Sequence, residues 1–186
     1  GHLDSVNIET NLISQLINEI KKGKYKDIHS LLIVKDNKIV LDEYFASKGK
    51  FSGELVNTIF RTRPHHLASV TKPITSILMG IAIKEGYVKN IENSASEYFP
   101  KYDSLFIGGK EGISIKHLLT MSAGLSWSQF NYPFQDSRND AGNMYKCNDV
   151  VEYYFRKPIF REPGLRFNYS NAAATKAPSP VHRKPA

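Results

Sequence analysis

His65-His66-Leu67-Ala68-Ser69-Val70-Thr71-Lys72-Pro73-Ile74-Thr75-Ser76-Ile77-Leu78 is the stretch on which the reading of this 186-residue chain turns. It runs out of a loop into a strongly apolar segment, Pro73 to Ala82. Ile74, Ile77, Leu78 and Ile81 recur at helical spacing, with Met79 and Ile83 off that stripe, so the pattern predicts a helix buried on most sides. Proline is tolerated only near a helix start, where backbone N–H groups lack partners anyway. Pro73 therefore places Ser69 and Lys72 in the first turn, on one face. That spacing can bring an amine within reach of a hydroxyl, which a nucleophilic serine without a histidine partner needs. The helix dipole also favours negative charge developing near Ser69. Taken alone the pair is a weak signal. Ser-x-x-Lys recurs by chance, and a serine at a helix start is ordinarily a cap.

Upstream, Leu12, Ile13, Leu16, Ile17 and Ile20 mark an amphipathic helix that Gly23 stops. Ser30 to Val34 and Ile39 to Phe45 read as strands joined at Lys35-Asp36-Asn37-Lys38, a β-hairpin. Asn57 to Arg61 is a candidate third strand. Downstream, Gly86 has the place of a helix-ending glycine, and a short helix is expected from Ile115 to Met121 behind an N-cap at Ser114. Residues 126 to 148 form a long aromatic and polar stretch, and unstructured segments of that length are usually functional or mobile. A helix from Asp149 to Arg156 and an extended run from Arg166 to Asn171 follow. From Ala172 onward the composition turns to Ala, Pro, Lys and Ser, which reads as a flexible or aberrant tail. The expected division is thus 1–68 (helix and sheet), 69–171 (active-site helix and helical region) and 172–186 (tail).

The bulk numbers narrow the function. A net charge of +7 raises nucleic-acid binding, but the lysines are scattered among acidic residues and no recognition motif accompanies them, so no nucleic-acid partner is expected. The single cysteine, Cys147, has no internal disulfide partner and no clear activating neighbours. No apolar run is long enough for a membrane span, and no signal peptide is visible.

Several ordered motifs carry a family resemblance over about residues 10 to 171. The quoted stretch resembles the active-site helix of the serine β-lactamase and penicillin-binding-protein superfamily. The likeness is greatest to the class C branch, with its esterase, D-aminopeptidase and nylon-oligomer hydrolase relatives. Gly86-Tyr87-Val88 with Tyr98-Phe99-Pro100 is similar to a second family stretch. Ile115 to Leu125 is similar to a third, with Met121 and Ala123 where His and Ser are commoner. Pro163-Gly164 leading to Phe167-Asn168-Tyr169-Ser170-Asn171 resembles the segment bearing the family's Tyr-x-Asn motif. The hairpin Leu31 to Phe45 resembles the first strands of its sheet.

The resemblance implies an α+β, β-lactamase-like fold: a partial antiparallel sheet flanked by helices, plus a mainly helical region. It implies a metal-free and cofactor-free hydrolase acting on a β-lactam, peptide or short acyl ester. Ser69 would be the acylated nucleophile and Lys72 its base or proton shuttle. Tyr169 would help activate Ser69 or the deacylating water and protonate the leaving group. Asn171 would bind the substrate carbonyl or orient Lys72. The resemblance implies a periplasmic or secreted location if the chain is like most relatives, and the sequence itself leaves the compartment open. The family's third motif, Lys-Thr-Gly or a relative, has no counterpart after Asn171. The expectation is therefore that the C-terminal strands are missing and an open sheet edge favours self-association. The alternative function is a non-catalytic fragment or pseudoenzyme that binds a peptide or acyl ligand in the remnant cleft. Trp127 is a candidate substrate-binding residue, and packing over the core edge is an equal reading of it. His65 and His66 tempt a metal reading, but adjacent histidines in an extended segment face opposite ways and no further ligand has suitable spacing.

Overall fold

Helical periodicity near the N-terminus builds α1 (Thr10–Lys21), which Gly23 closes at a φ of 77°. The computed structural model describes residues 7–45, 64 and 66–175. The expected strand at Asn57 to Arg61, His65 and the segment after Thr175 lie outside the described residues. The chain divides into two units, residues 1–66 and 67–186.

In the first unit the hairpin forms as the sequence predicts. β1 (Ser30–Lys35) pairs antiparallel with β2 (Lys38–Tyr44). Asp36 and Asn37 turn the chain at φ of 51° and 58°. Asp and Asn are among the side chains best suited to that left-handed region. The register slips between Ile33 and Val34, which pair with Leu41 and Ile39. Val40, skipped by the pairing, is the buried residue of its strand. Leu32, Val34 and Ile39 are exposed.

The second unit is mostly helical. A single 3-10 turn, Ala68–Val70, leads into α2 (Thr71–Lys84), which Gly86 ends at a φ of 78°. α3 (Ile115–Leu119) starts on a capping box. Ser114 Oγ accepts the His117 N–H, and His117 Nδ1 accepts the Ser114 N–H. α4 (Asp140–Met144), α5 (Val150–Phe155) and α6 (Asn171–Thr175) complete the set. The main core joins Phe99, Phe106, Ile113, Leu118, Trp127 and Phe155. A second cluster places Met79 and Ala82 of α2 against Val88 and Ile115.

Three expectations change. First, among the described residues α2 is buried at Met79 and Ala82, while Ile74, Ile77, Leu78 and Ile81 are exposed. Second, residues 126 to 148 are not structureless. α4 lies within them, and buried Asn139 ties them down by donating to the carbonyls of Gln129 and Tyr132 while capping Gly142. Asp140 adds an ion pair with Lys157 and accepts bonds from the Ser128 N–H and the Tyr153 hydroxyl. Third, Ala172 and Ala173, the start of the expected tail, are buried in the main core. Their side chains are small enough for α6 to pack against α2, α3 and α5.

Asp149 is the joint between α5 and the 3-10 segment Pro100–Leu105. One carboxylate oxygen caps the Val151 and Glu152 N–H groups, and the other accepts from Lys101 and the Tyr102 hydroxyl. The Glu152 N–H first, then Lys101, holds its pKa down to about 2. Asp149→Ala is expected to cost about 1–2 kcal/mol in a urea titration at neutral pH. A depressed carboxylate pKa stabilises the fold above the unfolded value of about 3.9. That contribution is lost as pH falls from there through about 2. The stability gap between wild type and variant should therefore narrow over the same interval.

Candidate active site

Ser69 lies in the 3-10 turn rather than in the α-helix proper, and Lys72 in the first turn of α2. The turn is tightened by Ala68, whose φ of 45° is unusual for a residue with a β-carbon. The Thr71 hydroxyl donates back to the Ala68 carbonyl at 2.5 Å. The backbone thus fixes where the Ser69 hydroxyl points, one residue after the strained position.

The other half of the site arrives from the far end of the unit. Asn168 anchors the segment by donating its N–H to the Met121 carbonyl (2.8 Å) and its amide to the Trp127 carbonyl (3.1 Å). Ser170, fully buried, accepts the Ala173 N–H at the start of α6. On either side of Ser170, Tyr169 and Asn171 face Ser69 and Lys72. The Tyr169 hydroxyl is 2.5 Å from Ser69 Oγ, and Lys72 Nζ donates to Ser69 Oγ at 3.0 Å. The same ammonium donates to Asn171 Oδ1 at 3.1 Å and lies 4.9 Å from the centre of the Tyr169 ring. Lys72, and secondarily the Ser69 hydroxyl, lower the Tyr169 pKa, against a smaller opposing effect of burial. Ser69, Lys72, Tyr169 and Asn171 are therefore within one hydrogen-bonded cluster, spanning about a hundred residues of sequence.

A family model described as Beta-lactamase matches residues 28–177. The chain belongs to the β-lactamase family. Among curated proteins, Protein flp of Staphylococcus aureus (strain NCTC 8325 / PS 47) is 28% identical over 145 residues, which cover 76% of this chain and 27% of that protein. A Salmonella agona (strain SL483) protein provisionally named a D-alanyl-D-alanine carboxypeptidase is 29% identical over 164 residues, 83% of this chain and 36% of that one. Among solved structures, a Bacillus anthracis protein provisionally named a 6-aminohexanoate-dimer hydrolase superposes with a TM-score of 0.58 at 16% identity. That match covers 87% of this chain and 40% of the other, and it shows the β-lactamase-like fold. The chain thus spans well under half the length of the relatives it matches.

In this family member Trp127 is a core residue. Its ring packs edge-on against Tyr153 and Tyr154, and its indole N–H donates to Gln129 Oε1 at 3.2 Å. The same oxygen accepts the Asn171 N–H at 3.1 Å. Gln129 therefore couples the core to the site, a role that no local motif announces. Phe130, largely exposed, lies against the Tyr169 ring with centroids 5.4 Å apart. With Tyr132, Phe134, Tyr145 and Asn171 it lines a cavity of about 520 Å³. Among the described residues no group of three or more His, Cys, Asp or Glu side chains converges as a metal site, and no helix is long and apolar enough to cross a membrane.

Proposed function

We propose that this chain carries the acylation machinery of a serine hydrolase that opens an amide or ester through an acyl-enzyme on Ser69. The observation that carries the reading is the continuous contact Lys72–Ser69–Tyr169. A serine hydroxyl needs a base within hydrogen-bond reach, and the phenol whose pKa Lys72 lowers meets that need. The Ser69 proton passes to the Tyr169 phenolate as Oγ attacks the carbonyl carbon, whose π electrons move to oxygen. Collapse expels the amine or alcohol, which takes the proton from Tyr169. Water then repeats the sequence on the ester and frees Ser69. The Lys72 ammonium stabilises the phenolate and holds Asn171 by its Oδ1. The aromatic cavity beside Asn171 favours an apolar acyl or peptidyl group, whether in a β-lactam, a peptide or a short ester.

Mass spectrometry of the chain after incubation with a penicillin and with p-nitrophenyl acetate tests this. The expected result is one adduct, mapped to Ser69 and absent in Ser69→Ala with an unchanged circular dichroism spectrum. No adduct with either reagent, or one that persists in Ser69→Ala, would refute the proposal.

A further inference from the structure

The geometry points to a second ligand site, a carboxylate-binding cavity separate from the Ser69 cluster. It lies between residues 124–131 and 160–168 and encloses about 360 Å³, within the size range of small-molecule sites. Its walls are fixed by backbone bonds. The Phe160 and Arg161 N–H groups both donate to the Gly124 carbonyl, and the Ser126 N–H donates to the Pro158 carbonyl. None of Ser69, Lys72, Tyr169 or Asn171 lines it.

Three observations specify the ligand. Arg161 and Arg166 both line the cavity. Of the described arginines, Arg138 and Arg156 each pair with a carboxylate, Asp136 and Glu152. The remaining two, Arg161 and Arg166, have no carboxylate partner among the described residues, and they share this one cavity. Ser128, also in the lining, has a buried hydroxyl oxygen with no hydrogen-bond partner among the described residues. Such an orphan costs free energy unless something satisfies it. Trp127 and Phe167 supply apolar wall. Planar guanidinium groups match carboxylate geometry, a hydroxyl can donate to the same group, and aromatic walls take an apolar body. The ligand class is a small carboxylate with an apolar substituent.

Trp127, the only tryptophan, reports on this cavity. N-acetyl-leucine titrated into the chain should change its emission saturably, and N-acetyl-leucinamide at equal concentration should not. Arg161→Gln and Arg166→Gln should each raise the Kd at least about 10-fold, the scale of a charge-assisted bond. Should either fail to keep the wild-type circular dichroism spectrum, Ser128→Ala substitutes for it, with a several-fold rise expected. Ser69→Ala should bind with wild-type Kd. An equal response to the amide, no saturable response, indifference of Kd to these substitutions in folded protein, or loss of binding in Ser69→Ala would each overturn the proposal. The adduct experiment does not bear on it, so the two readings fail separately.

Discussion

Tyr169→Phe is expected to slow acylation of Ser69 by about 10²–10⁴-fold, the usual worth of a positioned general base. The substitution removes the one oxygen 2.5 Å from Ser69 Oγ while keeping the ring that packs on Phe130 and Phe167. The fold should survive, so the loss reads on chemistry. The pH profile carries the sharper test. As the proposed base Tyr169 would act only when ionised, so the rate should climb as pH rises through its pKa and then level. Lys72 is the largest cause holding that pKa below the ordinary 10.0. Lys72→Met should therefore lower the rate and move the rising limb to higher pH. Second-order acylation constants measured across the alkaline range would show it. Superimposable limbs in wild type and Lys72→Met would assign the base elsewhere.

Gly142→Ala should be strongly damaging to the helical unit. A β-carbon there would sit 1.9 Å from the Phe134 carbonyl oxygen, a backbone atom that can retreat only by moving the chain. The Gly142 N–H is also capped by Asn139, whose amide holds the Gln129 and Tyr132 carbonyls. Overpacking of this kind costs about 1–3 kcal/mol, and disturbing a buried cap adds about 1 more. The urea midpoint, followed by Trp127 emission, should fall accordingly. Gly80→Ala is the natural contrast. Gly80 lies within α2 with nothing near its would-be β-carbon, and alanine there should stabilise by roughly 0.5–1 kcal/mol. Equal midpoints for the two variants would contradict the steric argument. A further consequence concerns the site, because residues 129 to 134 carry Gln129, whose oxygen holds the Asn171 N–H. Gly142→Ala should therefore impair acylation as well as stability, although residue 142 touches none of the reacting groups.

That Ser69, Lys72, Tyr169 and Asn171 come together is legible because each sits in a short local motif, and the family's ordered segments tie the two halves together. The hairpin was legible because Asp36-Asn37 is turn chemistry flanked by apolar runs. Gln129 and Asn139 were not, because what they do is bridge segments distant in sequence, and an isolated Gln or Asn in a polar stretch carries no trace of its eventual partners. Periodicity overstates the burial of α2 among the described residues, since it reports which residues prefer to leave water and not whether a neighbour covers them. The packing of Ala172 and Ala173 escapes composition for the converse reason: alanine carries too little hydrophobic signal to separate a packed helix from a loose tail.

Ala68 bears on directed evolution of this chain. Its backbone occupies a region where any β-carbon costs about 1–2 kcal/mol, so random mutagenesis screened for thermal tolerance should tend to enrich glycine there. Glycine, however, would free the peptide immediately ahead of Ser69. A library selected on heat alone and one selected on turnover should part company at this single codon.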